Sequence, residues 1–163
     1  GVKYGIQVEI FKPIYFNNEV VSSTRIRNSL FDGKLNEAKS MLGREYSIYG
    51  KVVSGKKIGN KLGFPTANIQ PDINCVLPKN GVYSTLTKVE GINYLSATSV
   101  GFNPTFKEKA IKIESHIIDF DADIYDKIIE LKFIEYLRPE IKFDNIELLK
   151  KQIKEDIIRV KNR

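Results

Sequence analysis

Five short segments with the alternating pattern of β-strands follow one another in the middle of the chain, joined by turns that contain Gly, Asn or Pro. No segment of helical periodicity separates them. Strands connected in this way pair antiparallel, because a parallel connection needs a crossover of about a dozen residues or more. The pattern therefore predicts an antiparallel barrel or sandwich. The predicted strands are Tyr46–Val53, Gly81–Val89, Tyr94–Val100, Ile111–Ile118 and Ile128–Leu137.

Further elements flank this central region on both sides. Before it, alternation over residues 6–11 predicts a strand. Serines that can cap and a stop at Gly33 predict a helix, and a second helix over about 36–42 ends similarly at Gly43. After it, Asp144 and Glu147 have the spacing of a capping box. A C-terminal helix is therefore expected to pack outside the strands or to close one end. Its apolar stripe is Ile146, Leu149, Ile153, Ile157 and Val160.

The composition excludes several classes of protein. With 163 residues and 42% hydrophobic residues, the chain is one domain, alone or with a fragment attached, and can build a core. No apolar run approaches the ~20 residues of a membrane helix, and no signal peptide is visible. A single cysteine, Cys75, and a single histidine, His116, exclude a disulfide framework and a metal site rich in Cys or His. We expect a soluble, cytoplasmic domain.

The net charge of +6 is compatible with a polyanionic partner, such as nucleic acid or the phosphates of a nucleotide. The basic residues are spread along the chain, and the longest pure run is a Lys-Lys pair, which argues against a polybasic arm. A solvated basic surface explains the charge equally well.

The segment from Gly55 to Asn68 carries the most chemical information. Three glycines interleaved with lysines would let the backbone approach phosphates, although the spacing matches neither common phosphate-binding pattern, and a flexible hairpin loop is the alternative. Pro65 then rigidifies the exit from the loop, so that Thr66 and Asn68, two residues apart, point to one face if the chain is extended. Their hydroxyl and amide oxygens are neutral ligands that suit Mg²⁺.

Several motifs in this order resemble the riboflavin kinase family, the flavokinase module of bacterial FAD synthetases. The resemblance covers the chain from about Tyr46 to the C-terminus. The motifs are Gly63-Phe64-Pro65-Thr66-Ala67-Asn68, Val100-Gly101-Phe102-Asn103-Pro104-Thr105, Glu114-Ser115-His116-Ile117-Ile118-Asp119-Phe120, Tyr136-Leu137-Arg138-Pro139-Glu140 and Lys142-Phe143-Asp144.

The resemblance implies a mainly β fold, a six-stranded antiparallel Greek-key barrel with a C-terminal helix, over residues 44–163. It implies transfer of the γ-phosphate of ATP to the riboflavin 5′-hydroxyl with Mg²⁺, giving FMN and ADP. The resemblance implies that Glu114 is the catalytic base and that Thr66 and Asn68 are the ligands of Mg²⁺·ATP. Arg138, Glu140 and Phe102 resemble flavin-site residues. The implied nucleotide-binding residues are Gly55, Lys57, Gly59, Lys61, Gly63, Pro65, Thr66, Asn68, Asp119 and Tyr125.

An independent argument for Glu114 comes from alternation. It puts Glu114 on one face with Lys112 and His116, opposite isoleucines, so that the carboxylate meets solvent or a cleft and can accept a hydroxyl proton at about 3 Å. The alternative is an exposed polar ladder of these three residues. We interpret His116 as a structural or orienting neighbour.

Two other features have alternative interpretations. The acidic run over 119–123 has carboxylates at calcium-loop spacing, but Ile124 stands where an EF-hand needs Gly, so we expect nucleotide contacts or a solvated hairpin instead. Arg138, held between a strand and Pro139, faces the flavin or pairs with Glu140 or Asp144.

Residues 1–43 resemble a different module. The run Val21-Ser22-Ser23-Thr24-Arg25-Ile26-Arg27 is similar to a signature near the end of the FMN adenylyltransferase module of the same bifunctional enzymes. No H-x-G-H is present, so we expect a strand-helix-helix remnant, no adenylyl transfer, and an adenylyltransferase domain before it in the full-length protein.

The prediction is a riboflavin kinase with small-molecule substrates and with neither nucleic acid nor membrane as a partner. The alternative from another class is a small basic β-barrel that binds single-stranded nucleic acid through a groove and stacking aromatics. A flavin carrier without catalysis is a third candidate, and it would show no dependence on ATP.

Overall fold

The computed structural model describes residues 2–5, 7, 9, 11–55, 58–72, 74–103 and 110–163. Six antiparallel strands close into a barrel in the order β3-β4-β7-β6-β5-β8, which confirms the expected fold class. Neighbouring strands pair out of chain order, as a Greek key requires. The barrel strands are β3 (Tyr46–Val53), β4 (Ala67–Pro71), β5 (Gly81–Val89), β6 (Ile92–Asn103), β7 (Ala110–Ile117) and β8 (Ile128–Arg138).

The barrel has one strand more than alternation predicted. β4 is only five residues long, contains Asn and Pro, and alternates poorly, so the pattern did not single it out. It is held by pairing with β3 on one side and β7 on the other. A short helix, α3 (Ile58–Leu62), also lies in the glycine-rich segment between β3 and β4, where a loop was expected.

Residues before the barrel form a small hairpin, β1 (Tyr15–Phe16) with β2 (Glu19–Val20), and two helices, α1 (Ser23–Phe31) and α2 (Leu35–Leu42). A 3₁₀ turn over Val2–Tyr4 precedes them. The strand predicted over 6–11 is not seen at the described residues 7, 9 and 11, which belong to no helix or strand.

The start of α1 and the glycine stops of both N-terminal helices are as predicted, and α2 begins at Leu35, one residue before the predicted start. The Ser22 hydroxyl accepts a hydrogen bond from the Arg25 N–H and caps α1. Gly33 and Gly43 adopt φ of 77° and 70°, the left-handed conformation that stops a helix at low cost only in glycine. Leu30 and Leu35 are buried in the same apolar cluster as the barrel interior, so the helices pack directly on the barrel.

One end of the barrel is covered by the segment 76–80, and we call it the closed end. The Tyr46 hydroxyl, at the start of β3, donates to the Val76 carbonyl, and the Tyr83 hydroxyl, near the start of β5, donates to the Lys79 carbonyl. The Lys79 N–H donates in turn to the Leu30 carbonyl of α1. This segment therefore joins the barrel to the N-terminal helices.

The C-terminal helix α4 (Ile146–Lys161) packs on the outside of the barrel. Val160 is fully buried in an apolar cluster with Val82, Ile118 and Leu137, which is separate from the interior cluster. The N-cap is Asn145, whose side chain accepts from the Leu148 N–H. The capping box predicted at Asp144 is therefore wrong by one residue.

Candidate active site

Asn68 and Glu114 face each other on adjacent strands, directly paired between β4 and β7. Strand alternation on β7 is as predicted, with Ile113 and Ser115 fully buried and Glu114 outward and half-buried. The Lys112 ammonium lies 2.9 Å from the Glu114 carboxylate. A carboxylate and an amide side chain thus extend from paired positions on the outer face of the barrel, and a lysine ammonium lies next to the carboxylate.

His116 holds the segment that precedes Asn68. Its Nδ1 lies 2.7 Å from the carbonyl oxygen of Pro65, and because a carbonyl only accepts, Nδ1 carries the proton. The Phe64 ring packs edge-on against the imidazole at 5.9 Å. His116 thus contacts Phe64 and Pro65, the two residues before Thr66, which agrees with its interpretation as a structural or orienting neighbour.

The glycines of the loop pack against the two candidate metal ligands. A Cβ atom at Gly55 would overlap the side-chain amide of Asn68, and one at Gly59 would overlap the Phe64 carbonyl and lie 3.0 Å from the Thr66 hydroxyl. At Gly55 a Cβ would displace the Asn68 side chain from its observed position, and at Gly59 the backbone carbonyl of Phe64 occupies the space of a Cβ, so this position needs glycine. Gly63 needs it for a different reason, a φ of 85°.

A pocket of about 270 Å³ opens next to this strip, at the end of the barrel opposite the segment 76–80, and we call this the open end. Its wall combines β-strand residues with the acidic run that follows β7. The lining residues are Val52, Asn60, Pro65, Thr66, Ala67, Ser115, Ile117, Phe120, Asp121, Ala122, Asp123, Ile124 and Tyr125. Asp121 and Asp123 belong to the acidic run for which nucleotide contacts were one expectation, whereas Asn60 was not among the predicted site residues.

The acidic run is fastened at several points. The Lys161 ammonium lies 2.9 Å from the Asp119 carboxylate, and the Phe120 ring packs on Tyr94 at 4.9 Å. The Asp123 side chain accepts from the Tyr125 N–H at 2.9 Å. Asp119, predicted to bind nucleotide, is thus paired with α4 and does not line the pocket, whereas Tyr125 does. Strands flank the run, so the calcium-loop alternative finds no helices here.

Of the lysines predicted in the loop, Lys61 is exposed and does not line the pocket, and Lys57 lies outside the described residues. The side chain of Phe102, predicted at the flavin site, also lies outside them.

Glu140 lies over β6, on the same outer face as Glu114. Its Oε1 is 3.4 Å from the Ser99 hydroxyl, and a Cβ at Gly101 would overlap its carboxylate. Because Ser99 pairs directly with Glu114, the two carboxylates lie on one strip of the barrel surface. The strip continues from Asn68 through Glu114 and Ser99 to Glu140.

Arg138 points away from that strip. Its guanidinium donates to both carboxylate oxygens of Asp156 on α4, at 2.7 to 3.1 Å, and the two side chains are only 16% and 8% exposed. Neither partner suggested by the sequence, Glu140 or Asp144, is the one observed. In this structure Arg138 fastens α4 to the barrel and is not brought to the other flavin-site candidates.

Within the part of the chain that the structure describes, no three or more His, Cys, Asp or Glu side chains converge as a metal cage. In the same residues, no helix combines the length and apolarity that a membrane crossing demands. Thr66 and Asn68 carry neutral oxygens, the donor type that suits a Mg²⁺ ion which keeps several waters and takes its other ligands from substrate phosphates.

Three comparisons place the chain among known proteins. Residues 42–163 match the family model Flavokinase: Riboflavin kinase. The bifunctional riboflavin kinase/FMN adenylyltransferase of Listeria monocytogenes is 41% identical over 140 residues, 85% of this chain and 45% of the relative. The chain spans about half the length of the curated relatives it matches.

Two solved structures have the same fold. The crystal structure of a macrolide-efflux protein from Streptococcus pneumoniae is 33% identical, with a TM-score of 0.88 over 93% of this chain and 50% of that one. The riboflavin kinase of Trypanosoma brucei is 28% identical, with a TM-score of 0.54 over 71% of this chain and 77% of that one.

Proposed function

The chain belongs to the riboflavin kinase family, and from that premise we propose that it transfers the γ-phosphate of ATP to the 5′-hydroxyl of riboflavin, giving FMN and ADP. The observation that carries the proposal is the pairing of Asn68 with Glu114 beside the open-end pocket. A hydroxyl that attacks a phosphoryl group needs an acceptor for its proton and neutralisation of the phosphate charge. Glu114 is the proposed proton acceptor, and its strand partner Asn68 is proposed to hold the metal ion that neutralises the phosphate charge.

Glu114 is the proposed catalytic base. In the reaction the 5′-oxygen of riboflavin forms a bond to the γ-phosphorus, the bond from that phosphorus to the bridging oxygen of ADP breaks, and the hydroxyl proton passes to the Glu114 carboxylate. The outward position of Glu114, 29% exposed, lets a substrate hydroxyl reach it.

Thr66 and Asn68 would hold Mg²⁺ through one oxygen each, and the loop from Gly55 to Gly63 would lie over the phosphates. The fit rests on the two glycines that let the Thr66 and Asn68 side chains pack close to the loop backbone. When bound, Mg²⁺ neutralises charge on the β- and γ-phosphates. We propose Pro65 and Tyr125 as pocket contacts of the nucleotide, with Lys57 and Lys61 for its phosphates. Asp119 acts by holding the pocket wall.

The flavin is proposed to lie along the outer strip toward Glu140. Glu140 and Ser99 supply polar groups there, on the same face as the catalytic base. Phe102 on the same strand remains a proposed flavin contact. Arg138 is not needed in this proposal, because Asp156 already neutralises its guanidinium.

The arrangement of the chain is also a proposal. Residues 44–163 would form the kinase domain, and residues 1–43 would be the end of an adenylyltransferase module in a cytoplasmic bifunctional enzyme. We expect no FAD from these 163 residues, because no H-x-G-H motif is present in them.

The test is an assay of FMN formation from riboflavin with ATP, with and without Mg²⁺. We expect FMN and ADP in equal amounts, no product with a chelator in excess over the metal, and no FAD when FMN and ATP are supplied. Absence of FMN would contradict the kinase proposal. Salt-dependent binding of an oligonucleotide, without quenching of riboflavin fluorescence, would favour the nucleic-acid-binding barrel instead.

A further inference from the structure

Five hydroxyl groups form a closed ring inside the barrel, in the middle of an otherwise apolar core. Each of the five residues is fully buried. Two belong to β5, two to β6 and one to β7, and each hydroxyl oxygen lies within hydrogen-bond distance of two others. The oxygen–oxygen distances around the ring are 2.9 Å for Thr85–Ser96, 2.6 Å for Ser96–Thr87, 3.3 Å for Thr87–Ser115, 2.8 Å for Ser115–Thr98 and 2.6 Å for Thr98–Thr85.

The ring gives each hydroxyl hydrogen-bond partners, but the stability of the core alone does not require hydroxyl groups at these positions. Each hydroxyl can donate one hydrogen bond, so five protons match the five contacts of the ring. Thr85 and Ser96 also have each other's backbone carbonyl within reach as acceptors, at 3.1 and 3.2 Å. Apolar side chains of similar size would fill the same space without the cost of removing hydroxyls from water. A polar network of this kind specifies one arrangement of the strands that carry it, because any other arrangement leaves donors unpaired.

Ser115 is the member through which the ring reaches the candidate active site. It ties β7 to its neighbour β6 and, across the interior, to Thr87 of β5, which does not pair with β7 in the sheet. Its neighbours in sequence, Glu114 and His116, point to the opposite face by strand alternation. Ser115 also lines the open-end pocket.

The strand β7 is thus held on both faces at the same level. On the outer face Glu114 is the strand partner of Asn68 and His116 bonds to the Pro65 carbonyl, and on the inner face Ser115 is bonded in the ring. The pairing of β7 with β4 covers only three residue pairs, whereas β7 pairs with β6 over eight. The ring adds a bond across the interior, from Ser115 to Thr87 of β5, that neither pairing provides.

We propose that the hydroxyl ring is a positioning device for phosphoryl transfer, in which Ser115 sets the direction of the Glu114 carboxylate relative to Asn68. This inference rests on the proposed function, in which Glu114 accepts the proton of the substrate hydroxyl. Ser115 touches no reacting atom in this account and is a positioning residue.

The first test compares Ser115→Ala with Ser115→Thr and with Ser84→Ala. Because small misplacements of a reacting group are costly, we expect Ser115→Ala to lower kcat at least about tenfold while KM for ATP changes less than about threefold. Ser115→Thr keeps the hydroxyl and restores most of kcat. Ser84 is a matched control, since it is 1% exposed on the same sheet but lies outside the ring, and its alanine variant keeps the wild-type kcat.

A second test asks whether Ser115 acts through Glu114. In the Glu114→Gln background the base is already lost, so adding Ser115→Ala should leave the residual kcat unchanged. The inference would be overturned if Ser115→Ala lowered kcat by the same factor in the wild-type and Glu114→Gln backgrounds. If Ser115→Ala does not fold, Thr98→Val breaks the 2.8 Å bond to Ser115 with little change of shape and serves in both tests.

The outcomes separate this inference from the proposed function. Wild-type chain that makes no FMN overturns both. Wild-type chain that makes FMN, with unchanged kcat in Ser115→Ala and only a lower urea midpoint, leaves the kinase proposal standing and shows that the ring is merely structural.

Discussion

The two ends of the barrel differ in the groups that line them. At the closed end the hydroxyls of Tyr46 and Tyr83 donate to backbone carbonyls of the segment 76–80, and burial raises the pKa of both phenols, that of Tyr46 to about 12. At the open end carboxylates, hydroxyls and amides surround a pocket, and exposed ion pairs fasten its wall. The difference leads us to expect that changes at the closed end act mainly on stability and that changes beside the open end act mainly on turnover.

The largest expected effect is loss of turnover from a change on the strip beside the open end. Glu114→Gln removes the proton acceptor but keeps the shape of the side chain, and general-base catalysis contributes roughly 10²–10⁴-fold, so we expect kcat to fall by about that factor. Nucleotide affinity and the urea midpoint should stay close to wild type. Glu135→Gln, on the outer face of β8, is the control and should keep its activity.

A rise in KM for ATP with unchanged kcat in Glu114→Gln would contradict its assignment as the base. It would mean that the carboxylate contributes only to binding.

The next largest effect is expected on the free energy of unfolding, with no change in turnover. Asp156→Ala leaves the Arg138 guanidinium largely buried without its counter-charge, which typically costs about 3–5 kcal/mol. We expect a loss of that size in urea unfolding, with kcat of the folded enzyme unchanged. Glu155→Ala, exposed on the same helix, should change stability by less than about 0.5 kcal/mol. A rise in KM for riboflavin alone would instead indicate that Arg138 contributes to flavin binding.

A smaller effect tests the closed end by pH. The raised pKa of Tyr46 means that its contribution to stability is complete below pH 10 and is lost as the pH rises from 10 through about 12. Tyr46→Phe should cost about 1 kcal/mol at pH 8 through the lost hydrogen bond and should flatten the alkaline decline. An equally steep decline in the variant would show that the phenol of Tyr46 is not its source.

The smallest effects should come from the exposed ion pairs of the open end. Lys161→Gln removes the partner of Asp119, and such surface pairs contribute about 0.2–1 kcal/mol and weaken in salt. We expect a stability loss in that range, measurable at low but not at high ionic strength. Lys154→Gln, exposed on the same helix, is the control. A loss that persists in 1 M salt would mean that the pocket wall depends on more than this pair.

Low pH is also expected to remove the contribution of an exposed ion pair at the open end. The hydrogen bond from Lys127 lowers the pKa of Glu90, so the stability that this pair contributes is present above the ordinary range of a glutamate and is lost as the pH falls through the lowered pKa.

The parts predicted from the sequence are those set by local patterns. Alternation gave five of the six barrel strands and put Glu114 on the outer face, and glycine stops gave the ends of α1 and α2. β4 was missed because a five-residue strand with Asn and Pro is defined by its neighbours and not by its own periodicity. The α4 cap at Asn145 differs by one residue because two adjacent residues can both cap.

Contacts distant in sequence could not be predicted. Nothing near Arg138 indicates that Asp156, on α4, neutralises it. The hydroxyl ring leaves a trace, since Thr85, Thr87, Ser96 and Thr98 occupy alternating positions, but polar alternation ordinarily marks a solvent face. Only closure of the barrel turns that face inward.

The most direct measurement locates the metal–nucleotide complex on the barrel. Mn²⁺ replaces Mg²⁺ in many nucleotide sites and broadens the NMR signals of nearby amides. With Mn²⁺ and ADP added to the wild-type chain, the account predicts that the amides of Thr66, Asn68 and Ser115 broaden first and that those over 76–80 keep their intensity. Zinc with ADP is the diamagnetic control. Broadening first at 76–80, or uniformly over the barrel, would contradict the account.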